Sequence, residues 1–387
     1  MYKVLTLNKI SAEGLSNFDS GKYSCSSEFD SPDAIIVRSA SMHEMGLPES
    51  VLAVARAGAG VNNIPVSAYT EKGVVVFNTP GANANAVKEL VICGLLLASR
   101  KIVPAIEWCA TLKGKGDEVG PLVEKGKANF GGPEIKGKIL GVFGLGAIGV
   151  MVANAAVALG MNVIGYDPYL TDKAATSLDK SVKITANLDD LFAQSLYITL
   201  HAPLTDATRG IIRAETFEKM PDGVRILNFA RKELVAENDI IEALGTGKCA
   251  AYVTDFPSDS QLCVDGVIAI PHLGASTPES EENCAVMAVE ELRDFLEKGE
   301  IVNSVNFPNI ELAASEDAKE RILVLSAGDV SEQIFTILAN NSIKVAGGAS
   351  NAKKTAAALI ETASEIPADV LDEIKAIDGV YRVRVVK

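Results

Sequence analysis

Lys138 and Asp167 bracket a run with no charged side chain, and that run constrains the fold more than any other part of the sequence. Its apolarity alone would suit a membrane span, but glycines interrupt it where a strand, a turn and a helix would meet. Residues 138–143 read as a buried strand. Gly144-Leu145-Gly146-Ala147-Ile148-Gly149 follows at once, 150–159 reads as an apolar helix, and 162–166 reads as a second strand ending in Asp167. A G-x-G-x-x-G turn in that strand–helix–strand setting is the fingerprint of a dinucleotide-binding unit. Gly144 makes the tight turn, Gly146 lets a pyrophosphate reach the backbone, and Gly149 lets helix and strand close on each other. Ala147 and Ile148 open the helix, whose first N–H groups lack acceptors within it and so suit phosphate oxygens. Asp167 is placed to accept both ribose hydroxyls. A 2′-phosphate would be repelled there, so the expected cofactor is NAD and not NADP.

The rest of the chain repeats this rhythm. With 387 residues it is long enough for two or three domains. Before the glycine turn, 3–7, 34–38, 52–57 and 74–78 read as buried strands and 83–100 as a helix. After it, strands are expected at 196–201, 225–229, 250–254 and 267–270, and a long helix at 277–297. Residues 101–136 are irregular, with Gly114-Lys115-Gly116 and Gly131-Gly132-Pro133 marking loops. The expected fold class is α/β, with two doubly wound parallel sheets, one flavodoxin-like and one of the Rossmann type. A small α+β module should close the chain, with strands at 321–325, 355–361 and 381–386 and helices at 330–339 and 368–377.

Composition narrows the partners. The formal net charge of −14 argues against nucleic acid and against an anionic membrane surface. An anionic substrate would therefore have to be held locally, by arginines and backbone N–H groups. Six cysteines without a Cys-x-x-Cys pair, and only three histidines, point to no metal site, no disulfide framework and a cytoplasmic setting. Residues 1–7 read as a strand and not as a secretory signal.

Hydride transfer from a hydroxyl-bearing carbon needs a base for the departing proton, and histidine is the usual choice near neutrality. His43 lies in the polar segment Ser41-Met42-His43-Glu44. His201 and His272 both end strands, where ligands gather in such sheets. Arg231 also ends a strand, and its guanidinium offers a two-pronged grip on a carboxylate.

Taken together, Gly144–Gly149, His201-Ala202-Pro203-Leu204-Thr205, Asn228-Phe229-Ala230-Arg231 and Pro271-His272-Leu273-Gly274-Ala275-Ser276-Thr277 resemble the D-isomer-specific 2-hydroxyacid dehydrogenases. Arg38-Ser39-Ala40, Arg56-Ala57-Gly58-Ala59-Gly60-Val61-Asn62-Asn63 and Asn78-Thr79-Pro80-Gly81 match as well, and the resemblance runs over residues 1–310. It implies a substrate-binding domain of 1–98 with 285–302, an inserted NAD-binding domain of 99–284, and an active site in the cleft between them. It implies His272 as acid/base and Arg231 as the group that holds the substrate carboxylate. Arg38, Ser39, Arg56, Gly58 and Ala59 would line the substrate side, with Gly58 and Ala59 offering N–H groups. His201, Ala202, Pro203, Phe229, Ala230, Thr254 and Gly274 would border the cofactor. The family's carboxylate partner to the histidine falls at Asp259, one methylene shorter than the usual Glu, with Asp255 the alternative. The family's acid for the nicotinamide amide is Thr254 here. The implied substrate is a small anionic, phosphorylated 2-hydroxy acid, and the implied assembly a homodimer or homotetramer. Other 2-hydroxy acids and an NAD-sensing binding protein are the competing readings. Residues 303–318 look like a linker, and 319–387 resemble an ACT regulatory domain. The loop 325–330 lacks the His and Asn-x-Pro-Gly of serine-regulated relatives, so the resemblance there implies the fold and not serine binding.

Overall fold

The computed structural model describes residues 1–386 and divides the chain into two units, Met1–Asn83 with Pro278–Lys387, and Ala84–Thr277.

In the first unit, β1 (Tyr2–Leu7), β2 (Tyr23–Ser26), β3 (Ala34–Val37), β4 (Ala53–Arg56) and β5 (Val75–Asn78) form a parallel sheet in the order β2-β1-β3-β4-β5. The four residues of β3, Ala-Ile-Ile-Val, are all buried, as expected for a strand covered on both faces. The helix Pro278–Lys298 packs Ala288, Val289, Leu292 and Phe295 into the same core as Ala53, Ala55, Val75 and Phe77. Arg38, Arg56 and Asn78 thereby come to the carboxyl ends of three neighbouring strands.

The second unit holds β6 (Ile139–Phe143), β7 (Asn162–Tyr166), β8 (Lys183–Ile184), β9 (Tyr197–Leu200), β10 (Val224–Asn228), β11 (Cys249–Thr254) and β12 (Val267–Ala269). All pairings are parallel, in the order β12-β11-β10-β9-β6-β7-β8. The order reverses between β6 and β9, so the carboxyl ends of these strands border the ligand crevice of such sheets. One face is covered by helices Ala84–Ser99 and Ala147–Ala158, the other by Leu191, Phe192, Phe217 and Ile240.

The C-terminal module contains β13 (Glu320–Ser326), β14 (Val345–Ala352), β15 (Ala356–Thr362) and β16 (Val380–Val386), antiparallel in the order β14-β15-β13-β16. Helices Ser331–Asn340 and Ala368–Lys375 cover one face through Ile334, Leu338, Val370 and Ile374. The other face, with Leu323, Leu325, Ala357 and Leu359, shares a core with Ala288, Leu292 and Phe295 of the long helix. Both faces of β13 are therefore apolar and buried.

Several sequence expectations shift. The two compact units meet in the sequence at 83/84 and 277/278. Helix Ala84–Ser99 buries Val87, Val91 and Leu95 in the core of the second unit, whereas Cys284 belongs to the core of the first. Residues 303–318 are extended but firmly packed: the Val305 N–H donates to the Val76 carbonyl at 2.9 Å, and Phe307 and Ile310 are buried. Within 101–136 the chain forms helices Ile102–Ala110 and Val119–Gly126. The strand β14 was not expected, because Val-Ala-Gly-Gly-Ala-Ser-Asn-Ala carries almost none of the branched or aromatic residues that mark strands. Among the described residues no helix is long and apolar enough to cross a membrane, and the uncharged run is the strand, turn and helix that its glycines indicate.

Candidate active site

The glycine turn joins β6 to helix Ala147–Ala158, and each glycine faces a different constraint. Gly144 has φ +94°, and a Cβ on it would lie 2.7 Å from the His201 carbonyl carbon. A Cβ on Gly149 would lie 1.9 Å from the Gly144 carbonyl oxygen, so only hydrogen fits between helix and turn. Gly146 differs: nothing stands within 4 Å of the position its Cβ would take. That open approach, at the start of a helix whose first N–H groups lack intrahelical acceptors, fits a pyrophosphate. Asp167 closes the arrangement. Its carboxylate accepts the Leu145 N–H at 2.8 Å and the Tyr169 N–H at 2.8 Å, which fixes it beside the turn with lone pairs left for ribose hydroxyls.

The neighbouring strand ends complete this face. His201 follows β9, and its Nε2 lies 2.9 Å from Thr199 Oγ1. Burial lowers its pKa to about 3, so the ring stays neutral at any working pH. As a neutral imidazole, with one ring N–H and one acceptor nitrogen, it can form a wall with Ala202 and Pro203. Phe229 is buried after β10 and packs on helix Ala84–Ser99 at Gly94, with Ala230 beside it. Thr254, fully buried at the end of β11, accepts the Phe256 N–H at 3.1 Å. Gly274 is packed tightly enough that a Cβ would meet Val87 at 3.2 Å.

The residues read as catalytic lie on loops of the same unit. Arg231 is exposed, donates from Nη1 to the Ala230 carbonyl at 2.7 Å, and has its own carbonyl held by Asn228 Nδ2 at 2.9 Å. His272 is exposed, its ring centroid 4.4 Å from that of Phe256. Asp259 opens the short 3-10 turn Asp259–Gln261 and is exposed. The buried carboxylate is Asp255, at 3% exposure. Its Oδ2 lies 3.8 Å from where a Gly274 Cβ would be, and no other residue donates a hydrogen bond to either of its oxygens. Burial raises its pKa to about 6, while its own backbone N–H and then the Arg231 charge pull the other way. His43, at the surface of the first unit, has Nε2 2.9 Å from the Asn62 carbonyl.

In the first unit, Arg38 and Arg56 are coupled: Arg56 Nε donates to the Arg38 carbonyl at 3.1 Å. Gly58 has φ +149°, a backbone conformation that strains any residue with a side chain. Its N–H donates to the Arg56 carbonyl at 2.8 Å. Ala59 contributes its carbonyl, which accepts Asn78 Nδ2. Ser39 and Ala40 donate their N–H groups to Asn8 Oδ1 at 3.1 and 2.6 Å. Asn8, at φ +70°, was missed in the sequence. An asparagine just past a strand, able to adopt the left-handed conformation and to accept backbone N–H groups, was the available signal.

Comparison with known proteins agrees with this geometry. Residues 93–274 match the D-isomer specific 2-hydroxyacid dehydrogenase, NAD binding domain. A D-3-phosphoglycerate dehydrogenase from Methanocaldococcus jannaschii is 39% identical over 72% of this chain and 52% of its own length. The chain thus spans about half the length of that relative. A hydroxypyruvate reductase from Thermotoga maritima is 39% identical over 67% of this chain and 83% of its own. Among solved structures, an NAD+-bound 3-phosphoglycerate dehydrogenase from Entamoeba histolytica superposes with TM-score 0.59 and 27% identity, covering 79% of this chain and 98% of that one. The glycine turn, the acid at the end of its second strand and the loops that carry Arg231 and His272 all lie within the matched region, and the chain belongs to the D-isomer-specific 2-hydroxyacid dehydrogenases.

Proposed function

We propose that the chain is an NAD-dependent dehydrogenase that oxidises 3-phospho-D-glycerate to 3-phosphohydroxypyruvate, the first step of serine synthesis. The observation that carries this reading is one chain holding both an NAD-binding unit with Arg231 and His272 and a second unit with Arg38 and Arg56 at adjacent strand ends. The names of the Methanocaldococcus and Entamoeba relatives support it.

The roles follow from the chemistry. When bound, NAD supplies the acceptor for the hydride that leaves C2. His272 takes the hydroxyl proton as the C2–O bond gains double-bond character. Arg231 pairs with the substrate carboxylate and orients C2. Arg38 and Arg56 offset the remaining negative charge, which a protein of net charge −14 could not otherwise attract. Asp259 keeps the position of the carboxylate that supports the histidine. Asp255 supplies a buried carboxylate that would accept the nicotinamide amide N–H in place of the acid missing at Thr254. The exposed, apolar face of helix Ile102–Ala110, with Ile106 at 64% exposure, supports a homodimer or homotetramer. Six free cysteines support a cytoplasmic setting.

A second reading, reduction of hydroxypyruvate or glyoxylate, is favoured by the Thermotoga relative, of which the chain covers 83%. Oxidation of NADH by the purified protein separates the two. The proposal expects phosphohydroxypyruvate to exceed hydroxypyruvate, glyoxylate and pyruvate by at least about tenfold in kcat/KM, the quantity in which such discrimination is read. Equal or better use of an unphosphorylated acid would establish the second reading. Tight NADH binding without turnover would mark a sensing protein.

A further inference from the structure

Arg38 already holds an anion. Its Nη2 lies 2.8 Å from Glu281 Oε1, with the two side chains 36% and 40% exposed. Glu281 sits in the first turn of helix Pro278–Lys298, where the positive end of the helix favours negative charge. Arg56 is next to Arg38, and the buried Cys284 thiol one turn further along the helix feels the charge of both guanidinium groups. Two cations, one helix terminus and one carboxylate thus share a single patch of the first unit. An anion at this patch meets Glu281 both as a rival for Arg38 and as a like charge.

We propose that Glu281 is a specificity-determining residue, an internal competitor that a substrate's distal anionic group must displace from Arg38. The inference rests on the reading above that Arg38 faces an anionic substrate. A phosphorylated acid, with two charges on its tail, can take Arg38 from the carboxylate. An acid with an uncharged tail leaves the Arg38–Glu281 pair closed. Glu281 therefore raises the KM of phosphorylated substrates and leaves that of unphosphorylated ones governed by other contacts. A half-exposed pair of this kind is worth at most about 1 kcal/mol, which is about fivefold in affinity.

The test compares Glu281→Gln with the unaltered protein on phosphohydroxypyruvate and hydroxypyruvate. The ratio of kcat/KM for the phosphorylated over the unphosphorylated acid should rise, by up to about fivefold, through KM and not through kcat. The same substitution in an Arg38→Met background should give no such gain, because the contested cation is gone. An unchanged or lower ratio for Glu281→Gln, or a full gain without Arg38, would overturn the proposal. Inhibition by inorganic phosphate provides a readout that does not depend on the proposed substrate. Its inhibition constant should fall, by up to about fivefold, in Glu281→Gln. A protein that ignores phosphohydroxypyruvate but shows this fall would refute the substrate and keep the role of Glu281. An unchanged constant would refute that role.

Discussion

Asp255 is almost wholly buried, no other residue donates a hydrogen bond to its oxygens, and its carboxyl is pushed up to about 6 from an ordinary 3.8. Burial penalises the charged form, so the folded state keeps the proton that the unfolded chain has already lost. The contribution is therefore fully favourable below pH 3.8, is lost as pH rises to about 6, and stays flat above. The stability forgone at neutrality is about 2–3 kcal/mol, at 1.36 kcal/mol per tenfold change in protonation ratio. A buried carboxylate kept at such a cost is a candidate for contact with a ligand. Asp255→Asn should accordingly raise the thermal midpoint at pH 7.5, with the gap closing towards pH 4, while NADH binding weakens. A lower midpoint at both pH values would show that the carboxylate supports the fold instead. Why this acid and not Asp259 is buried was not legible in the sequence. The two are four residues apart beyond the end of β11, where the two-residue alternation of the strand has lapsed and no longer assigns a face.

Elements tell a more legible story, because their signals come from packing that the sequence records directly. The strands of both parallel sheets are buried on two faces and read as unbroken apolar runs, as Ala34–Val37 does. The glycine turn was equally legible, since two of its glycines answer to steric limits and one to open space. This difference is itself testable. Gly149→Ala puts a methyl 1.9 Å from the Gly144 carbonyl oxygen and should cost about 1–3 kcal/mol as overpacking, lowering the urea midpoint. Gly146→Ala meets nothing within 4 Å and should leave the midpoint in place while NADH affinity falls, because the methyl fills the pyrophosphate approach. If both substitutions destabilise alike, the space at Gly146 is structural. Where elements were missed, the signal was missing for a physical reason. Helix Ile102–Ala110 buries no residue, so its apolar positions are not tied to the core of its unit. Strand β14 has side chains too small to show alternation. The carboxylate on Arg38 lies far away in sequence, beyond the reach of any local motif.

At the scale of the whole molecule, the C-terminal module and the parallel sheet of the first unit behave as one body, although the sequence reads as two domains joined by a linker. The module's inner face shares a core with helix Pro278–Lys298, and two arginines of β16 bind its edge to main-chain carbonyls. Arg384 donates to the carbonyls of Phe295, at 2.9 Å, and Leu296, with its guanidinium 5.1 Å from the Phe295 ring centroid. Arg382 donates to the Val51 carbonyl at 2.9 Å and the Lys72 carbonyl at 3.1 Å. Neither guanidinium spends these bonds on a carboxylate; both satisfy carbonyls that the docking removes from water. Arg384→Met would keep much of the apolar stem and strip the donors. Both carbonyls keep a second donor, the Gly299 N–H on Phe295 and the Tyr2 hydroxyl on Leu296, each at 2.9 Å, so the cost is that of the lost bonds themselves, about 1 kcal/mol each. Because the module's Leu323 and Leu325 lie in the same core as Leu292, that loss cannot be confined to the module. Calorimetry should then show a single lowered transition for the module and the first unit together, and Leu325→Ala should shift the same transition, by the 2–5 kcal/mol typical of a buried leucine. A separate early melting of the module in either variant would show that it is a tethered domain, and that a ligand bound to it has no packed route to the strand ends carrying Arg38 and Arg56.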